Sequence, residues 1–284
     1  MLLVQTRSLL LLAITVIALS GCSRFKLLYS FTGEAIQQQA EFYLDLTTEE
    51  EIAFEQNIDA LVRWHRAEML PQYARFLRGA AADIDRGDLS EASVSATIVD
   101  LRRLLEATVE GSAPYVATVL SNHTRPKKLV HLRARMAERL AESREDLNVP
   151  RTEWIEAKTE SAIGRFEIFF GTLTDRQSGM VRTYFAKSAD WNEPWQKVRE
   201  DRREAFLTFL AETPGRDQIE FFLPRILLRS EEIVGPEYKQ LADAWWARFT
   251  DWMIEMSLSL TPEQRRYFSA TLRGYADDMI DLST

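Results

Sequence analysis

The stretch from Thr48 to Leu77 reads TEEEIAFEQNIDALVRWHRAEMLPQYARFL. Phe54, Ile58, Leu61, His65, Met69, Tyr73 and Phe76 recur in it at steps of three or four. On a helix of about 3.6 residues per turn those positions share one side, so the pattern predicts a long amphipathic helix with a single apolar stripe. Pro71 limits it. Proline has no N–H to donate and its ring strikes the preceding turn, so the helix should kink or split near Leu70.

The same pattern continues on both sides. A helix is predicted from Gly33-Glu34 to Tyr43, with a break at Asp45 to Thr48. On the other side, Gly79 to Asp88 reads as a loop of glycine, Asp and Arg. Ser90 caps a helix to about Glu110, Gly111-Ser112 breaks it, and Ala113 to Leu120 reads as one or two buried turns. Pro126 stands at a favoured first-turn position and opens a helix to about Leu147. Further helices are predicted over 152–170, 174–187, 191–212 and 217–228, the last interrupted or kinked by Pro224. Gly235-Pro236 opens another, with Tyr238, Leu241, Trp245, Phe249, Trp252 and Met256 as its stripe, and the last runs from Thr261 to about Leu282. No run alternates apolar and polar residues between hairpin turns, as a half-buried strand would. The expectation is an all-α protein, a single multi-helix bundle of roughly nine to eleven helices with short loops. Thr213-Pro214-Gly215 is too short for a linker, so residues 33–284 are expected to form one domain.

Of 284 residues, 46% are hydrophobic and 27% charged, which suits a folded globular chain. The formal net charge of −8 argues against a nucleic-acid partner, since such proteins are usually basic. Catalytic signals are poor. None of the three histidines pairs with an acid at zinc-ligand spacing. There is no Gly-x-Ser-x-Gly elbow, no glycine-rich phosphate loop and no cysteine nucleophile. No catalytic residue and no metal ligand is assigned.

The amino-terminal end carries an address. Arg7 precedes an apolar run from Ser8 to Leu19, then small residues at Ser20 and Gly21, then Cys22. That is the pattern of a secretory signal peptide, and the run is too short to span a bilayer, which takes about 20 apolar residues. Leu19-Ser20-Gly21-Cys22 resembles the bacterial lipobox at all four positions. The resemblance implies acylation of the Cys22 thiol, cleavage before Cys22 and acylation of the new amino group. Residues 1–21 are then a lipoprotein signal peptide, 22–32 a lipidated tether, and the covalent lipid (palmitate-type chains) on Cys22 the only group expected beyond the polypeptide. Two or more acyl chains hold a protein firmly to a bilayer. Ser23, not Asp, follows the cysteine. By lipoprotein sorting this favours the outer membrane, where the periplasmic face is expected. With Cys22 acylated no disulfide can form, so stability must come from core packing.

Three helices begin alike, at Leu46-Thr47-Thr48-Glu49-Glu50, Leu173-Thr174-Asp175-Arg176-Gln177 and Leu260-Thr261-Pro262-Glu263-Gln264. Local chemistry explains much of this: the Thr hydroxyl accepts from the N–H three residues on, and the Glu or Gln there reaches back to the cap's own N–H. The second and third segments also resemble the Leu-Thr-x-x-Gln pattern of Spy/CpxP-type periplasmic proteins, helical chaperones and stress regulators that offer a cradle to clients. The first departs from it at Glu50. A broader resemblance rests on Phe42-Tyr43-Leu44-Asp45-Leu46, Arg63-Trp64-His65-Arg66, Leu70-Pro71-Gln72-Tyr73, the lipobox and the Leu260 segment. These resemble a family of uncharacterised proteobacterial helical lipoproteins, which implies an address and no chemistry.

Two clusters stand out as binding candidates. In Trp64-His65-Arg66 a histidine lies on the apolar stripe, where it is either a hydrogen-bonded core residue or a pH-sensitive group beside a pocket. Arg125, Lys127, Lys128, Arg133 and Arg135 make a basic face on an acidic protein, suited to anionic lipid or an acidic partner, or simply paired with acids elsewhere in the bundle. Trp245 and Trp246 are adjacent and cannot both face one core, so one is expected at a groove. The leading expectation is a non-enzymatic, lipid-anchored envelope protein that binds protein as a chaperone-like or assembly factor. The alternatives are a ligand-binding or catalytic protein with an interhelical pocket near His65, and a structural tether between envelope layers.

Overall fold

The structure, a computed structural model, describes residues 21–145 and 147–284, with side chains from Phe25 onward. Residues 1–20 of the expected signal peptide, Leu19 and Ser20 of the lipobox-like stretch among them, lie outside the described residues, as does the Cys22 side chain. The described chain is helical throughout, with no strand among the described residues. In order the helices are α1 (Gly21–Ser30), α2 (Thr32–Tyr43), α3 (Thr48–Trp64), α4 (Leu70–Arg86), α5 (Glu91–Ser121), α6 (Pro126–Glu145) and α7 (Arg151–Phe170). They continue with α8 (Asp175–Ser188), α9 (Asn192–Ala211), α10 (Arg216–Leu228), the single turn α11 (Glu231–Val234), α12 (Glu237–Ser259) and α13 (Pro262–Ser283).

The long stretch around His65 is one rod with a defect. A π-turn over His65–Met69 joins α3 to α4, closed by the Leu70 N–H donating to the His65 carbonyl. Pro71 follows directly and cannot donate to the turn before it. Widening the helix by one residue absorbs that loss without stopping the rod, and such π-turns concentrate at functional sites.

Three expectations fail, each because a partner helix overrides a local signal. The loop expected over Gly79 to Asp88 is helix up to Arg86, where Gly87 ends it at φ 73°. Ala81 and Ile84 are buried there with Leu272 of α13, and burial outweighs glycine's modest penalty in a helix. The break expected at Gly111-Ser112 is absent, and α5 runs unbroken through it and past Pro114. Gly111 serves contact instead: a Cβ there would lie 2.0 Å from Trp64 Cζ2. The tether expected over 22–32 is helical, since α1 covers Gly21–Ser30. Phe25 and Tyr29, four residues apart, share a face of α1. Phe25 meets Tyr275 of α13 edge-on at 5.6 Å, Tyr29 is buried, and Lys26 pairs with Asp278 at 3.6 Å and with Asp281.

The core is a chain of linked clusters. One joins α5, α6, α9 and α10 around Leu120, Leu132, Leu207 and Ile219, and Tyr43 ties it to a second formed by Leu44, Phe54 and Ile58. A third, around Phe170, Val181, Trp252 and Met256, meets the α4–α13 cluster through Phe169 and Phe268.

Candidate functional site

The Trp64-His65-Arg66 cluster sits at the π-turn, where the extra residue turns the three side chains to different neighbours. Trp64 lies on Gly111 and faces Tyr115 at 6.0 Å. His65 stacks on Tyr29 at 5.9 Å, and Nδ1 shares a 2.7 Å hydrogen bond with the Tyr29 hydroxyl. Tyr73 closes the other side of the ring at 5.6 Å, and its hydroxyl bonds the Thr108 hydroxyl. Arg66 lies over the Tyr29 ring at 5.5 Å. Burial pushes the His65 pKa below the usual histidine value, which favours the neutral ring. The arrangement is that of a hydrogen-bonded aromatic layer clamping α1 to the bundle.

The cavity lies one turn further back along the same stripe. It occupies about 500 Å³ between α2, α3, α5, α6, α9 and α10. Phe54, Ile58 and Leu61 of α3 form one wall, and Val116, Val119 and Leu120 of α5 form another. His65 does not line it; Tyr115 does, and Tyr115 touches Trp64. Asn57 is the one amide in the walls, and its Nδ2 is spent on the Tyr115 carbonyl at 2.9 Å. The charged members are Arg199, Arg202 and Arg203 of α9, with Phe206 one turn on. Sequence reasoning missed these arginines. Their i, i+3, i+4 spacing was the available signal, but the acids Glu200, Asp201 and Glu204 interleaved among them make the stretch look like an ordinary solvated face.

The basic face is paired. Arg125 and Lys128 both reach Glu50 at the start of α3, the first at 3.0 Å. Lys127 lies 3.4 Å from Asp45, and Arg133 lies 3.3 Å from Glu204. Arg135 takes Glu138 at 2.6 Å, and its guanidinium stands 5.4 Å over the Phe42 ring. Lys128, with the Thr47 N–H, holds the Glu50 carboxyl down to about 2. This face staples α6 to its neighbours.

The Leu-Thr-x-x-Gln starts meet each other. Each forms a full capping box, with Thr174 N–H donating to Gln177 Oε1 at 2.9 Å and Thr261 N–H to Gln264 Oε1 at 3.0 Å. The two amides then pair reciprocally: Gln177 Nε2 donates to Gln264 Oε1 at 2.8 Å, and Gln264 Nε2 to Gln177 Oε1 at 2.9 Å. The remaining protons go to the carbonyls of Ser259 at 3.2 Å and Thr172 at 2.9 Å. Both glutamines are buried, and Leu173 and Leu260 belong to the same core cluster. The motif is therefore a joint between the α7–α8 and α12–α13 corners. Glu50, at the equivalent place in the first copy, closes its own box and binds Lys128 instead.

Neither of the adjacent tryptophans is exposed. Trp245 stacks on Phe249 at 5.4 Å, while Trp246 lies under the Arg102 guanidinium at 5.5 Å. Among the described residues no cluster of His, Cys, Asp and Glu is placed to hold a metal, and no helix is long and apolar enough to cross a membrane.

The fold and this site define an all-α protein with an apolar interhelical cavity edged by arginines. The profile of a family of unknown function (DUF6279) matches residues 42–239, and the chain belongs to that family. No curated protein and no solved structure matches it. Every cavity residue except Ile36 and Ala40 falls inside the matched segment.

Proposed function

We propose that this is a lipid-anchored envelope protein whose helical domain binds an apolar small molecule in the cavity between α3, α5 and α9. The observation that carries the reading is the cavity: its volume of about 500 Å³ falls in the range of ligand sites, and its walls are almost wholly apolar. The anchoring half rests on the lipobox and on the exposed apolar side chains Leu27 and Leu28 of α1 and Phe31 just after it, all within ten residues of Cys22. Apolar side chains next to acyl chains add to the affinity for a bilayer surface. By resemblance to lipoprotein sorting, Ser23 favours the outer membrane for the anchor.

A protein-binding role of the Spy/CpxP kind has less to stand on. The glutamines that carry that likeness are buried against each other, and the α6 cations are paired. What favours it is Phe221 on α10, which is 69% exposed. A neutral fluorescent probe, N-phenyl-1-naphthylamine, tests the cavity on residues 22–284 carrying Cys22→Ser. We expect saturable binding that Ala40→Phe abolishes, by filling the cavity, with no loss of thermal stability. Absence of saturable binding, or binding indifferent to Ala40→Phe, would overturn the reading and leave the Phe221 surface as the better lead.

A further inference from the structure

Among the described residues, Arg199, Arg202 and Arg203 are the only charged ones lining the cavity. They stand at i, i+3 and i+4, so three positive charges share one face of one turn of α9. Among the described residues, none of the three has a carboxylate within ion-pair distance, whereas Arg125 and the α6 residues Arg133, Arg135 and Arg139 each have one. The nearest acids in sequence are already used: Glu200 is held by Arg144 at 2.6 Å, Asp201 by Lys197 at 2.7 Å and Glu204 by Arg133 at 3.3 Å.

The three differ in depth. Arg199 is exposed and donates to Gln196 Oε1 at 3.2 Å, while Arg202 and Arg203 are half-buried. Arg203 Nε is shut off from water with no hydrogen-bond partner. Arg202 has the Tyr238 ring at 5.8 Å, and burial pushes its guanidinium below the ordinary arginine value. An arginine cannot shed its proton to escape such a site, and a donor buried without a partner is costly. The guanidinium fork fits a carboxylate or phosphate, and one such anion would satisfy the idle donors and relieve the mutual repulsion.

We infer that the cavity takes a long-chain amphiphile with one anionic head group, its chain among the apolar walls and its carboxylate or phosphate on Arg202 and Arg203. Arg199 stands at the solvent end, where it meets the head group first. This rests on the cavity reading above and adds the ligand's chemical class to it.

Displacement of N-phenyl-1-naphthylamine from residues 22–284 with Cys22→Ser tests it, using hexadecanoate, a monoacyl glycerol phosphate and hexadecanol. We expect both anionic chains to bind at least tenfold tighter than the alcohol. The tighter of the two tells a free fatty acid from a lipid phosphate. In Arg202→Met/Arg203→Met that preference should shrink to within twofold, with each chain's affinity read relative to the same variant's own affinity for the neutral probe. Arg202→Lys/Arg203→Lys, which keeps charge but not the fork, should retain an intermediate preference. Hexadecanol binding as tightly as hexadecanoate in the unaltered protein would overturn the inference, whether or not the variants fold. A tenfold preference surviving the double Met change would do the same. If the neutral probe itself fails to bind, the cavity reading falls, which is a different failure from equal binding of charged and neutral chains.

Discussion

The paired glutamines make the sharpest quantitative test of the fold. Gln264→Ala removes the acceptor of the Thr261 N–H, the donor to the Thr172 carbonyl, and both halves of the bond to Gln177. The cap bond alone contributes about 1 kcal/mol. Leaving half of the Gln177 amide buried and unsatisfied adds about 1–3 kcal/mol, so a loss of about 3 kcal/mol is expected. Gln218 supplies an internal control, because its Oε1 accepts the Gly215 N–H at 2.8 Å in the same way but on an exposed surface. Gln218→Ala should cost no more than about 1 kcal/mol. The Gln177→Ala/Gln264→Ala double variant strands neither amide, so it should cost about 1–2 kcal/mol less than the sum of the single changes. Urea unfolding midpoints at constant slope measure the four variants against the unaltered protein. Equal costs for Gln264→Ala and Gln218→Ala, with an additive cycle, would refute the joint and return the motif to simple helix capping.

Other outcomes follow from the same geometry. Gly111→Ala gains about 1 kcal/mol of helix propensity but drives a methyl into the Trp64 ring, so overpacking of about 1–3 kcal/mol should win and lower the melting temperature. Trp64→Leu in the same chain should recover part of the loss, and a stabilised Gly111→Ala would argue against the contact. For Glu50, held at about 2 against an ordinary 4.5, the contribution is present above pH 4.5 and is lost as pH falls toward 2. Glu50→Gln should therefore cost up to about 3 kcal/mol at pH 7, with the difference closing as urea melts are repeated at lower pH. Burial lowers the pKa of both His65 and His123. Their neutral-ring stability is full above about pH 6.5 and declines as pH drops below it, because the unfolded chain takes the protons first. His65→Gln should flatten that decline between pH 7 and 5, and an unchanged profile would place the acid sensitivity elsewhere.

Much of the helix framework was legible because its signals are local. The stripe from Phe54 to Phe76, the Thr caps at Thr47, Thr174 and Thr261, and the proline starts at Pro126 and Pro262 each act within a turn or two of chain. Glycine was the unreliable sign. Gly111 looks like a helix stop and is a contact surface for Trp64, while Gly79 looks like a loop and lies inside α4. A glycine says that a side chain is absent, and only its neighbour says why. The segment after Cys22 misled for a similar reason: Phe25 and Tyr29 dock through Tyr275 and His65, which lie far along the chain.

The candidate site was half legible. His65 and Trp64 are unusual enough to be noticed, and they form the aromatic layer that holds α1. The cavity next to them is built by apolar residues of six helices, and no such residue differs in sequence from a core residue. Whether a leucine fills a core or walls a cavity depends on how far apart its neighbours' backbones are held.

By itself the amino-acid sequence determined the helical class and most helix boundaries, because periodicity and capping depend on residues a few positions apart. Tertiary structure alone decided that two distant Leu-Thr-x-x-Gln starts lock together and that the α6 cations are neutralised. It alone left three α9 arginines facing an apolar cavity without a counterion. Those outcomes depend on which groups of remote helices come within hydrogen-bond reach, and that distance is set by packing and is written in no local stretch of the chain.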